Sequence, residues 1–229
     1  MVPGALVAGS AAPATAPGSF AAMRGLFVTL EGIDRSGKTT QAALLLEALG
    51  DEAVGVREPG GTPAGERVRD VLKDPAVQLS PEAEALLFAA ARAELVSEVI
   101  RPALAAGRVV VSDRYLDSSL AYQGSARGLG VEAVERVNRF ATSGLEPDLT
   151  LLLDLDPAAA AARAREEDRF EQEGERLQRA VHAAYEQLAA ASPHRWRRID
   201  ADRDVDTVHR DVLAAVRAAR SVPAEGARK

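Results

Sequence analysis

The chain contains no cysteine, which excludes disulfides, thiol catalysis and cysteine-bound metal. Lysine is almost missing too: among 229 residues it occurs at Lys38, Lys73 and Lys229. Arginine carries the rest of the basic work, so a lysine kept at one loop position is informative. His182, His194 and His209 lie apart in sequence and read as surface or interface residues, not as a metal cluster. No apolar run approaches ~18 residues, so no membrane span is expected and the cytoplasm is the predicted location. The net charge of −6 argues against a nucleic-acid or anionic-membrane surface.

Residues 1–22 are rich in Ala, Pro, Gly and Val and carry no charged side chain. A secretory leader needs a basic start, which is missing. The segment reads as a disordered extension, residues 23–220 as a single domain, and 221–229 as a flexible tail. Within the domain, apolar strand signals alternate with helix signals. Strands are expected at 25–31, 53–57, 108–112, 149–155 and 196–199. Helices are expected at 39–49, 62–73, 80–100, 131–142, 157–165, 171–191 and 205–219. Thr62-Pro63 and Ser80-Pro81 each supply an N-cap followed by proline at the first helical position. Pro102 should end the long helix that starts at Ser80. The βα alternation predicts an α/β fold: a five-stranded, mainly parallel sheet in a three-layer α/β/α arrangement.

Gly32-Ile33-Asp34-Arg35-Ser36-Gly37-Lys38-Thr39 fits the phosphate-binding pattern G-x-x-x-x-G-K-[ST], with a strand before it and a helix after it. Backbone N–H groups of such a loop cradle phosphate oxygens, aided by the positive end of the helix dipole. Lys38 would reach the β and γ phosphates, and the Thr39 hydroxyl would ligate Mg²⁺. Arg57-Glu58-Pro59-Gly60-Gly61-Thr62 follows the second strand, where an arginine suits a second anion or is simply a surface residue before a turn. Asp113-Arg114-Tyr115 ends the third strand. Asp113 there could organise Mg²⁺ and Arg114 a transferring phosphoryl group, or the two could be a strand-end ion pair. Phe88 and Arg92, four apart on a helix, could stack on and read a base. The plainer reading is a core phenylalanine, among core positions Leu86, Leu87 and Leu95, beside a solvated arginine. Arg163, Arg165 and Arg169 crowd residues 163–171 with acids, as a solvated helix end or as a mobile lid.

Together these pieces resemble the thymidylate kinase family, enzymes that phosphorylate dTMP to dTDP. The resemblance spans about residues 24–220. It rests on the phosphate loop from Glu31 to Thr40, the Arg57–Thr62 run, Phe88-Ala89-Ala90-Ala91-Arg92, Asp113-Arg114-Tyr115 with Ser118-Ser119-Leu120-Ala121-Tyr122-Gln123-Gly124, and Asp168-Arg169-Phe170-Glu171. It implies ATP–Mg²⁺ on Gly32, Ile33, Asp34, Arg35, Ser36, Gly37, Lys38, Thr39 and Thr40. It implies the dTMP phosphate on Arg57 and Arg114, with Thr39 and Asp113 on the magnesium side. Phe88 would stack on thymine, Arg92 would donate to thymine O4, and Ser119 would lie near N3–H. Tyr122 would crowd the sugar C2′, Asp34 would accept from the 3′-hydroxyl, and Phe170 would close over the nucleoside. Gln123 joins the substrate-binding set. A lid at about 163–171 would bring Arg163, Arg165, Arg169 and Glu171. The family places its phosphoryl-directed arginine either in the loop or in the lid. This chain carries both, and Arg35 is the expected catalytic one beside Lys38, Asp113 and Arg114. A homodimer through helices flanking the sheet is also implied.

Overall fold

The computed structural model describes residues 25–163 and 174–221. The expected extension at 1–22, most of the expected lid with Arg165, Arg169, Phe170 and Glu171, and nearly all of the expected tail lie outside the described residues. Among the described residues five strands are formed: β1 Phe27–Glu31, β2 Ala53–Arg57, β3 Val109–Asp113, β4 Leu149–Asp154 and β5 Trp196–Asp200. The helices are α1 Lys38–Leu49, α2 Pro63–Lys73, α3 Pro81–Leu95, α4 Arg101–Ala105, α5 Leu116–Ser119, α6 Val131–Thr142, α7 Pro157–Ala162, α8 Gly174–Ala191 and α9 Val205–Ser221. The strands pair in the order β2-β3-β1-β4-β5, every pairing parallel.

Parallel strands covered on both faces are apolar nearly throughout. Alternate side chains accordingly enter two different cores. Val28 and Leu30 of β1, with Val109 and Val111 of β3, pack with Leu45 of α1, Tyr185 of α8 and Val212 of α9. Phe27 and Val110, pointing the other way, pack with Leu95, Ile100 and Leu104 and with Val134 of α6. Helices therefore cover both faces of the sheet.

Two stretches depart from the expected elements. The helix opened by Ser80 runs through Pro102 and stops at Ala105, joined by a wide π turn at Val96–Ile100. In that turn the Arg101 N–H bonds the Val96 carbonyl, a five-residue step. The wider turn carries the helix across a proline that has no N–H to give. The second departure is residues 116–126, where no element was expected: α5 leads directly into a π segment at Leu120–Ala126.

The register positions the site. Leu30 lies opposite both Asp113 of β3 and Leu151 of β4, and Arg57 of β2 lies opposite Asp113. The carboxyl ends of β1, β2 and β3 thus emerge side by side, at the point where strand order reverses about β1.

Candidate active site

The loop between β1 and α1 is held in its shape by backbone that favours glycine. Gly32 has φ +142, and a Cβ there would fall 2.6 Å from the Leu153 carbonyl oxygen. Gly37, at φ +93, caps α1 and leaves its first N–H groups unsatisfied by any side chain. Lys38 is buried and curls back, donating to the Ile33 carbonyl at 2.6 Å and to Ser36 Oγ at 3.3 Å. Burial, reinforced by Arg114, pushes its ammonium down to about 8 against the opposing pull of Asp34, Asp113 and Glu31. Thr39 Oγ1 donates to Asp113 Oδ2 at 2.6 Å, so the two residues expected on the magnesium side touch. Thr40 points outward and is exposed.

Arg114 adopts a left-handed backbone, φ 71, directly after β3. Its guanidinium donates to the Gly32 carbonyl and to Ser118 Oγ, both at 3.2 Å, and pairs closely with Asp34. It also lies 5.2 Å from the Tyr122 ring centre. Burial alone would raise the Asp34 carboxyl, but Arg114 and Lys38 hold it below its ordinary value. Gln178 of α8 clasps Asp34 twice: Nε2 donates to its carboxylate at 2.6 Å, and Oε1 accepts its backbone N–H at 3.0 Å. Behind Arg114, Glu31 is fully buried and accepts from the Tyr115 N–H, from Ser118 and from Tyr185 at 2.8, 2.6 and 2.8 Å. Burial, with Asp117 nearby, pushes its carboxyl up to about 7. Those contacts orient the Ser118 and Tyr185 hydroxyls so that their lone pairs remain for Arg114.

Arg92 is 1% exposed, which overturns the reading of it as a solvated arginine. Its Nε donates to Glu58 at 2.7 Å, and its terminal nitrogens reach Glu58, Ser119, Asn138 and the Tyr115 carbonyl. All five guanidinium N–H groups thus have acceptors. Glu58 is buried with its second oxygen lacking a partner among the described residues. Leu86, expected in the core, is 58% exposed instead, because it falls on the face of α3 opposite Leu95 and Phe88. Arg57 is half-exposed and pairs with Glu66 at 3.0 Å.

A cavity of about 310 Å³ joins these groups. Asp34, Arg35, Lys38, Thr39 and Asp113 line it together with Arg57, Phe88, Arg92, Arg114, Ser119, Tyr122 and Gln123. Arg163 lies outside it, at the end of α7, donating to the Ala201 carbonyl at 3.2 Å and meeting Asp202 at 3.4 Å. The structure adds wall residues that the sequence reading did not assign: Glu58, Arg69, Lys73 and Ser118. For Arg69 and Lys73 the available signal was their four-residue spacing on α2, which puts both on one face. Glu31, Gln178 and Tyr185 act from behind the wall and gave no local signal. Among the described residues no group of three or more His, Cys, Asp or Glu could hold a metal. No described helix is long and apolar enough to cross a membrane.

Comparison with known proteins bears on this geometry. The family model described as thymidylate kinase matches residues 30–212. The chain is 51% identical over 201 residues to a thymidylate kinase of Pelotomaculum thermopropionicum, covering 84% of this chain and 93% of the relative. It is 49% identical over 199 residues to the thymidylate kinase of Deinococcus radiodurans, covering 84% and 97%. A thymidylate kinase of Synechococcus is 53% identical over 181 residues, covering 77% and 86%.

Proposed function

The chain belongs to the thymidylate kinase family, and we propose that it transfers the γ-phosphoryl group of ATP to dTMP, giving dTDP and ADP. One observation carries the assignment of roles: the phosphate-loop residues Lys38 and Thr39 line the same cavity as Phe88 and Arg92. Two anionic substrates can therefore meet end to end.

The acceptor is already an anionic phosphate oxygen, so no strong general base is required. The protein supplies alignment and charge neutralisation. ATP phosphates lie on the 32–39 loop, where backbone N–H groups and Lys38 neutralise the β and γ oxygens. Arg57 and Arg114 hold the dTMP phosphate. For Arg57 this requires exchanging Glu66, an exposed pair that is cheap to open. The acceptor oxygen bonds to the γ-phosphorus as the bond to the β–γ bridging oxygen breaks, and ADP leaves with that electron pair. Arg35, which lines the cavity from the loop, neutralises the charge that develops there. Phe88 stacks on the base and Tyr122 lies against the sugar. Asp34, held by Arg114 and Gln178, offers a carboxylate oxygen to the 3′-hydroxyl.

Thr39 and Asp113 are adjacent hard oxygen donors, and they fit Mg²⁺ with phosphate oxygens and water completing its shell. When bound, the ion would screen the β and γ phosphate charge. A cytoplasmic enzyme suits a reaction that draws on ATP. We also infer a homodimer, supported by apolar side chains left exposed on neighbouring helices: Leu86 of α3 and Phe140 of α6, at 58% and 89%.

A coupled assay with ATP, Mg²⁺ and a panel of dTMP, dUMP, dCMP and thymidine tests the assignment. ATP consumption that needs dTMP is expected. Consumption driven equally by thymidine would make the enzyme a nucleoside kinase of the same fold.

A further inference from the structure

We propose that Glu84 is a positioning residue that fixes the Gln123 side-chain amide so that its oxygen, not its nitrogen, faces the base end of the cavity. The inference deepens the dTMP reading and rests on it. Glu84, Phe88 and Arg92 lie at i, i+4 and i+8 on α3, forming one stripe along the helix. Phe88 and Arg92 line the cavity; Glu84 stands one turn behind them and is 2% exposed. Its Oε1 accepts from Gln123 Nε2 at 2.9 Å. Arg127 grips the same carboxylate, with Nε 3.2 Å from Oε1 and a terminal nitrogen 3.2 Å from Oε2. Arg127 is in turn tied to the π segment by its backbone N–H, which donates to the Tyr122 carbonyl at 2.8 Å.

A carboxylate paired with a guanidinium only accepts hydrogen bonds, whereas an amide has one accepting end and one donating end. Turning the Gln123 amide over would set oxygen against oxygen, so Glu84 dictates its orientation on chemical grounds alone. Gln123 is 2% exposed and lines the cavity, so the end turned away from Glu84 is its accepting oxygen. A ring N–H, as in thymine or uracil, matches that accepting oxygen. Cytosine presents a bare ring nitrogen there, which mismatches it. A Gln123 free to turn would offer its NH₂ to that ring nitrogen and relax the discrimination.

The test is the ratio of kcat/KM for dTMP to that for dCMP. Glu84→Gln, which lets the amide face either way, should lower the ratio about tenfold, the worth of one good hydrogen bond. The loss should appear chiefly in the dTMP KM, with the ATP KM unmoved. In a Gln123→Ala background the same substitution should change the ratio no further. If Glu84→Gln does not fold, the double variant Glu84→Met/Arg127→Leu removes both charges together and carries the same expectation. A ratio unchanged in the folded variant, or an equal fall without Gln123, overturns the role given to Glu84. A wild-type enzyme that does not prefer dTMP over dCMP overturns the base reading itself, independently of any variant.

Discussion

Arg35 combines two properties that make it testable. It lines the cavity, and it holds a left-handed backbone at φ 64, a conformation glycine adopts at no steric cost. Arg35→Gly should therefore keep the loop fold while removing the guanidinium. Turnover should fall about a hundredfold or more, with the dTMP KM nearly unchanged. Equal turnover would shift the phosphoryl-directed role to another arginine. Lys38→Ala should abolish transfer without lowering the denaturation midpoint; retained dTMP phosphorylation would refute the scheme. Glu31 gives a pH signature. Its folded carboxyl is raised from 4.5 to about 7, so the folded state holds an extra proton between those values. Stability from that protonation is complete below about 4.5 and is lost as pH rises through about 7, at most about 3 kcal/mol. In urea titrations at several pH values, wild type should lose stability relative to Glu31→Gln across this window. Parallel curves would show that Glu31 does not titrate there.

At the scale of elements, the five strands and the loop-flanking helix were legible because each is a local pattern: an apolar run, a cap, a proline. The segment 116–126 was not. Asp117, Ser118, Ser119 and Gln123 are buried in it, and their polar groups are satisfied by Arg195, Glu31, Arg92 and Glu84, all distant in sequence. No local period betrays a helix stabilised that way. Arg92 was misread for the same reason, since its acceptors come from three other stretches of chain. The Asp117–Arg195 pair is one such tie, with both terminal nitrogens of Arg195 at 2.7 Å from a carboxylate that has no exposure. Arg195→Met leaves that charge buried and unpaired, and should cost about 3 kcal/mol. Urea unfolding measures this; a loss under about 0.5 kcal/mol, the size of an ordinary surface change, would show the pair to be dispensable.

For the whole molecule, the residues that meet in the cavity were legible on the strand ends, the loop and α3, but what holds them from behind was not. The sheet order brings β1, β2 and β3 ends together, whereas α8 reaches over from beyond β4 to hold Asp34 through Gln178. The inferred homodimer is a whole-molecule property with its own measurement. Light scattering should give near twice the 24.1 kDa chain mass, and Leu86→Asp with Phe140→Asp should halve it. A wild-type mass of one chain would remove the dimer.

Trp196 is the chain's sole tryptophan; it is 5% exposed, and its ring centre lies 6.3 Å from that of Tyr185. Tyr185 in turn reaches Glu31 and Arg114. The protein thus carries a built-in optical gauge: one indole, shielded from solvent and linked through Tyr185 to Arg114 in the cavity wall. Its emission should sit at short wavelength in the native state and move red on unfolding, with no label attached.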